Sequence, residues 1–227
     1  MSDIIVKPAV SKSEINQFIK FQWKIYEGNQ YWVPPLLMDR RKLLDKKKNP
    51  FYQHSKAEFF LAYADNEIVG RIGAIVNDNH IKEHNENIGF FGFFECINDQ
   101  KVANALFDTA KKWLKEKGVS AVRGPANPSV NDEYGLLIEG FDKSPVVLMP
   151  YNPPYYATLI ENAGFKKVKD LYAYYLHQTT VYSDKLERVA EIVKKREGMC
   201  FRSLNMKIFD DELKIIEKLY NEAWQYN

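Results

Sequence analysis

Cysteine is almost absent from this 227-residue chain: only Cys96 and Cys200 occur, too few for a disulfide framework, and both read as reduced packing residues. No apolar run approaches the roughly 20 residues that a membrane span requires. The opening MSDIIVKPAV has neither the apolar core nor the small-residue cleavage site of a secretory signal. A dominant charge is missing too. Lys plus Arg at 32 against Asp plus Glu at 30 leaves +2, which argues against nucleic acid or a membrane as the main partner. Histidine is scarce, with four in all. His80 and His84 would share one face of a helix, but a third ligand and the HExxH order are lacking, so no metal is expected. These absences describe a cytoplasmic protein, and its 45% hydrophobic and 14% aromatic content supports a sizeable folded core.

What is present centres on residues 89–125. Residues 88–96 are nearly all apolar or aromatic and punctuated by glycine, as befits a central strand covered on both faces. Asn98 or Asp99 can cap the helix that follows, in which Val102, Leu106, Ala110, Trp113 and Leu114 recur at helical spacing. Gly118 stops it, and residues 119–122 read as a second strand, giving one β-α-β crossover. Ligands bind such units at the corner between strand and helix, here around residues 95–100.

Upstream, residues 4–10 read as a strand, and Ser11 with Glu14 forms a capping box that opens a helix striped by Ile15, Phe18, Ile19, Trp23 and Tyr26. Gly28 and Asn29 end that helix. Pro34 and Pro35 break the chain, and residues 36–44 resume as a short helix. The basic residues between Arg40 and Lys56 read as a solvated face rather than a phosphate site. Residues 59–63 and 68–76 form a hairpin about an Ala64-Asp65-Asn66-Glu67 turn, and residues 77–87 are a polar loop.

Downstream, residues 124–135 form a loop dense in turn formers and hydrogen-bonding side chains, 145–149 read as a strand or extended segment, and 155–162 as a helix closed by Gly164. Residues 165–177 read as a long Tyr- and Val-rich strand, followed by a break at 178–182. Ser183 caps a helix, residues 200–206 read as a strand, and Asp210 caps a last helix striped by Leu213, Ile216, Leu219, Tyr220 and Trp224. This strand, cap and striped helix repeat the pattern of residues 4–26. The expected organisation is a domain over 1–182, with 183–227 as a linker helix plus the first strand and helix of an incomplete second copy, in a fragment of a longer protein.

The order strand, helix, helix, hairpin, central strand, helix, strand, helix, long strand resembles the GNAT superfamily of acyl-CoA-dependent N-acetyltransferases. Asn152, Leu159, Glu161, Gly164 and Phe165 add a local likeness, as do the runs GFFGFFE, NPSVNDEYG and MPYNPPYY. The resemblance implies an α/β (α+β) fold with a mixed, mostly antiparallel sheet flanked by helices. It implies acyl transfer from acetyl-CoA or another acyl-CoA to the amine of a small molecule, without a metal. It also allows a homodimer or pairing with a second GNAT-like copy.

By the same resemblance Glu95 is the general base and Tyr156 stands in as the acid, since Ile160 occupies the usual tyrosine position. The amides of Ile97, Asn98, Asp99, Gln100, Lys101 and Val102 would face the pyrophosphate. The substrate cleft would be lined by Asn127, Ser129, Asn131, Asp132, Glu133, Tyr134, Tyr151, Asn152 and Tyr155. The pyrophosphate stretch contains no glycine, and Asp99 sets a carboxylate where phosphate oxygens would lie. The alternative function is therefore a GNAT-like domain that has lost CoA chemistry and binds a small molecule or a partner.

Overall fold

A computed structural model describes residues 3–128, 131–177, 183–196, 198 and 202–224. Ser129, Cys200 and the break expected at 178–182 lie outside the described residues. The chain divides after Leu171 into two compact units.

The first unit is built on a five-stranded sheet. In chain order it comprises β1 (Ile5–Pro8), α1 (Lys12–Ile25), α2 (Leu37–Leu44), a 3-10 turn (Pro50–Gln53), β2 (Ser55–Ala64), β3 (Glu67–Asn77), α3 (Asp78–His84), β4 (Ile88–Cys96), α4 (Gln100–Glu116), β5 (Ala121–Arg123), the short pair β6 (Ala126–Asn127) and β7 (Glu133–Tyr134), and α5 (Tyr156–Asn162). Strands β1 to β4 pair antiparallel in sequence order, and β5 joins β4 in parallel after the α4 crossover. Local chemistry explains these elements. Ser11 and Glu14 close the capping box of α1. Asp65 and Asn66, with φ of 49° and 64°, make the left-handed two-residue turn that hairpin twist demands. Asp99 caps α4, and Gly118 at φ 85° follows its end.

Side-chain alternation along the strands splits the core between the two faces. Phe60, Ile72, Phe91 and Phe94 pack with Leu106, Phe107 and Leu114 of α4 and Tyr156 and Leu159 of α5. Phe59, Leu61, Ile75, Phe90 and Phe93 pack with Phe18 and Ile19 of α1 and Leu44 of α2. The sheet is thus covered on both faces, which is why β4 is apolar along almost its whole length.

One irregularity positions the site. Arg71 faces Glu95 but Gly73 faces Gly92, so β4 carries an extra residue and bulges, with Phe93 at φ 52°. Beside the bulge the chain of 124–127 crosses so close to β4 that a Cβ on Gly92 would lie 1.9 Å from the Ala126 carbonyl oxygen. Only glycine fits.

Several expectations are corrected. Residues 77–87 are not a simple loop, because the Asn77 side chain accepts from the His80 amide and nucleates α3. Residues 165–177 form no strand. Strand formers make a strand only where an edge offers ladder partners, and here Val168, Leu171, Tyr172, Tyr174, Tyr175 and Leu176 remain exposed. Residues 145–149 are not a strand either: the Met149 amide turns back to the Val146 carbonyl, with Leu148 at φ 65°.

The second unit contains α6 (Asp184–Lys194), capped by Ser183, a 3-10 turn (Met206–Ile208) and α7 (Phe209–Trp224). No strand forms among described residues 202–206. The Arg202 guanidinium instead grips Glu212 at 2.6 and 2.8 Å, and Asn205 caps the turn. Helix α7 begins at Phe209, so Asp210 lies in its first turn and does not cap it.

The crowding at Gly92 gives a direct expectation. Gly92→Ala should lower stability by at least about 1–3 kcal/mol, the usual cost of overpacking, because the obstruction is backbone. Thermal denaturation monitored by circular dichroism checks it; an unchanged midpoint would contradict the close crossing.

Candidate active site

At the carboxyl end of β4, just past the bulge, Glu95 turns into the face covered by α1. Its side chain has almost no contact with solvent. A carboxylate there needs donors, because burial without them is strongly unfavourable. Four side chains supply them. Gln22 Nε2 donates to Oε1 at 2.7 Å, Tyr156 OH donates to Oε2 at 2.7 Å, and Arg71 Nη2 lies 3.4 Å from Oε1. Tyr26 OH lies 3.0 Å from Oε2 and 2.9 Å from the Tyr151 carbonyl oxygen, and its single proton serves one of them at a time. Gln22 lies in the last turn of α1 and Tyr26, four residues on, is its C-terminal cap, so both face inward together.

Each partner is itself held. Arg71 Nη1 donates to the Phe18 carbonyl oxygen at 2.6 Å, and its guanidinium stacks over the Phe18 ring at 4.9 Å. Tyr156 OH also accepts from the Cys96 amide at 2.8 Å, which fixes its proton toward Glu95. The neighbouring Tyr155 donates to the Cys96 carbonyl oxygen at 2.8 Å. The N-terminal turn of α5 is thereby clamped to the last residue of β4.

Burial sets the proton affinities. It raises the Glu95 pKa above the ordinary carboxylate range, against the opposing pull of Arg71 and the hydrogen bonds from Gln22, Tyr156 and Tyr26. Burial first, and the Glu95 charge second, hold Tyr156 protonated well past its ordinary range. The Cys96 thiol is pushed up to about 12 by burial, so it is no nucleophile.

A small cavity of about 50 Å³ opens on this cluster. It brings together the predicted residues Glu95, Tyr156, Asn127, Glu133, Tyr151 and Asn152 with Gln22 and Tyr26. Asn127 spans the bulge: its Oδ1 accepts from the Phe93 amide at 2.5 Å and its Nδ2 donates to Glu133, which is ion-paired to Arg40. Asn152 holds both backbone groups of Leu137 at 2.7 and 3.1 Å. Tyr134 contributes through its backbone pairing with Ala126. Asn131 and Asp132 do not line this cavity.

The predicted cofactor corner, Ile97 to Val102, lies at the start of α4, outside that cavity. Three of its amides already donate within the chain: Ile97 to the Val69 carbonyl, Asp99 to the Ile97 carbonyl, and Lys101 to the Asp99 carboxylate at 2.8 Å. His80 and His84 stand with ring centroids 4.5 Å apart, and no group of three metal-ligating side chains exists among the described residues.

Sequence reasoning missed Gln22, Tyr26 and Arg71 as site residues. Arg71 was detectable, being the only charge in the apolar run 68–76, as Glu95 is in its own strand. Gln22 and Tyr26 carried no such signal, since Tyr26 reads equally well as part of the apolar stripe of α1.

The Arg71–Glu95 pair should be conditionally stabilising. Arg71→Met leaves a buried carboxylate unpaired and should cost about 3–5 kcal/mol, while adding Glu95→Gln should recover most of the loss. With its pKa raised, Glu95 binds more protons in the native than in the unfolded state, so its contribution to stability falls as pH rises above the ordinary value of 4.5. The single variant should therefore lose more stability at pH 8 than at pH 5, and the double variant should lose that extra pH dependence. Urea titrations of both variants at both pH values measure it.

No protein-family model matches the chain. The chain is 35% identical over 224 residues to Protein YghO of Escherichia coli K12, an alignment spanning 98% of this chain and 57% of that protein. It is 33% identical over 233 residues to the Bacterial ceramide synthase of Caulobacter vibrioides, spanning 100% and 59% respectively. The chain thus covers less than two thirds of either relative. Among solved structures, AAC(6')-Iy in complex with a CoA-containing bisubstrate analogue aligns over 78% of this chain and 99% of its own, with 12% identity and a TM-score of 0.48. A Clostridium acetobutylicum predicted acetyltransferase with acetyl-CoA aligns over 78% and 99%, with 13% identity and a TM-score of 0.42. Strands β1 to β4 antiparallel, a parallel β5 reached through α4, and helices on both faces make the mixed, mostly antiparallel sheet flanked by helices that the resemblance to the GNAT superfamily implies.

Proposed function

We propose that the chain carries an N-acyltransferase site in which Glu95 takes the proton from an attacking amine and Tyr156 delivers one to the departing thiolate of an acyl thioester. The observation that carries this reading is the 2.7 Å hydrogen bond between Tyr156 and Glu95 at the edge of a cavity. As the amine nitrogen bonds to the acyl carbon and the carbon–sulfur bond breaks, the ammonium proton passes to Glu95. The Tyr156 proton passes to sulfur, and Tyr156 regains a proton from Glu95 through the bond that joins them. Burial suits both groups to these roles. It makes Glu95 a stronger base than an exposed carboxylate and keeps Tyr156 protonated until the step requires it.

Acyl-CoA is the donor that the fold suggests. The acid–base pair fits its reactive end. Its nucleotide end does not fit the start of α4 in this arrangement, because Asp99 occupies the Lys101 amide and no glycine opens the backbone. That corner favours the second reading, a GNAT-like domain that binds a small molecule or partner without CoA chemistry. For the acceptor, similarity to a protein named Bacterial ceramide synthase supports a long-chain amino alcohol, the amine component of a ceramide.

The test is incubation with acyl-CoA and long- and short-chain amines, with amide product read by mass spectrometry. Glu95→Gln should lower kcat by about 100-fold or more, within the usual range for a general base. Because only the ionised carboxylate accepts a proton, kcat/KM of the unaltered protein should climb with pH through the raised Glu95 pKa and then level off. No product with any amine, together with no acyl-CoA binding, would leave the non-catalytic reading.

A further inference from the structure

Two exposed apolar loops leave the mouth of the Glu95 cavity. The first begins at Trp32, which stacks on Tyr26 with centroids 4.7 Å apart, and continues through Val33, Leu36 and Met38, which are 54%, 67% and 60% exposed. The second ends at Met149, directly before the cavity-lining Pro150 and Tyr151, and exposes Val146, Val147 and Leu148 by 69%, 90% and 59%. Asn29 ties the two together: its Oδ1 accepts from the amides of Tyr31 and Trp32, and its side chain lies 3.3 Å from the Tyr151 hydroxyl. Both apolar segments are therefore anchored at one entrance.

The first loop runs straight into a basic segment. Residues 40–48 carry six basic side chains and one acid, Asp45. Arg40 is matched by Glu133 and Lys46 by Glu58, whereas Lys42, Lys47 and Lys48 are exposed with no ion-pair partner among the described residues. Net charge near zero conceals this block, because it averages over the whole chain. Protruding aliphatic tips beside unmatched lysines are the composition of a surface that inserts shallowly into a lipid interface. A protein partner would need a shape moulded to two separate protrusions, whereas a fluid bilayer accommodates them without one.

We propose that the apolar segments 32–38 (the loop before α2 and its first residues) and 146–149, with Lys42, Lys47 and Lys48, dock this protein onto an anionic lipid bilayer with the Glu95 cavity facing the membrane. A lipid amine would then enter from the interface; that consequence rests on the acyltransfer reading, whereas the docking does not.

The test is co-sedimentation of the 227-residue protein with phosphatidylglycerol-containing vesicles and with phosphatidylcholine vesicles. Binding should be at least about tenfold tighter to the anionic vesicles and should weaken as salt screens the lysines. The triple variant Lys42→Gln/Lys47→Gln/Lys48→Gln should bind about 100-fold more weakly, from roughly fivefold per charge. Val33→Ser/Leu36→Ser/Met38→Ser should lose binding at every salt concentration, with an unaltered melting profile because these side chains are exposed. Failure to bind anionic vesicles, or binding indifferent to both variants, overturns the proposal. So does concentration-dependent dimerisation that the apolar variant abolishes while vesicles are ignored. Vesicle binding by a protein that forms no amide with any amine and binds no acyl-CoA sinks the acyltransfer reading and leaves the docking standing.

Discussion

A carboxylate shut away from water must be surrounded by donors, and at Glu95 that demand fixes four elements at once. Gln22 and Tyr26 bring α1, Arg71 brings β3, and Tyr156 brings α5 to the end of β4. Together these donors hold the charge inside an apolar core, so the cluster pins α1, β3 and α5 to the end of β4. The bulge at Phe93 is part of the same construction. Its extra residue sets the register in which Glu95 lies opposite Arg71.

The pin explains how one small region can be both structural and chemical. Gln22 and Arg71 satisfy one carboxylate oxygen, and the two tyrosines satisfy the other. The Tyr26 proton has two acceptors, so this oxygen retains a donor from Tyr156 even when Tyr26 turns to the Tyr151 carbonyl. Tyr151 in turn belongs to the cavity wall and touches Asn29, which places the outer loops in mechanical continuity with the carboxylate.

The sheet was legible in the sequence where the signal was local. The apolar run ending in Cys96, the capping box at Ser11, the Asp65-Asn66 turn and the α4 stripe each predict their element because neighbours in sequence decide them. The segment 165–177 was not legible. Its Tyr and Val content describes a surface that fits a sheet, and only the sheet edge determines whether a strand forms. The same division holds at the site. Glu95 stood out as a lone charge among apolar neighbours, and Tyr156 came from the family resemblance, but the contributions of Gln22 and Tyr26 arise from a packing of α1 across 69 and more residues of chain that no local pattern encodes. The start of α4 shows the converse: the missing glycine, the carboxylate of Asp99 and a cap at Asn98 or Asp99 were visible at once, and the structure selects Asp99 as the cap.

Glu95 is the point on which both stability and the proposed chemistry turn, so its protonation is the quantity to measure. Isotope-edited infrared titration of the glutamate carboxyl bands, with Glu95→Gln subtracted, reports it directly. A single carboxyl that ionises above the ordinary value of 4.5, and moves further upward in Arg71→Met, is the expected result. A Glu95 that remains ionised down to the range of an exposed carboxylate or below it would contradict the account, for burial would then not govern the site.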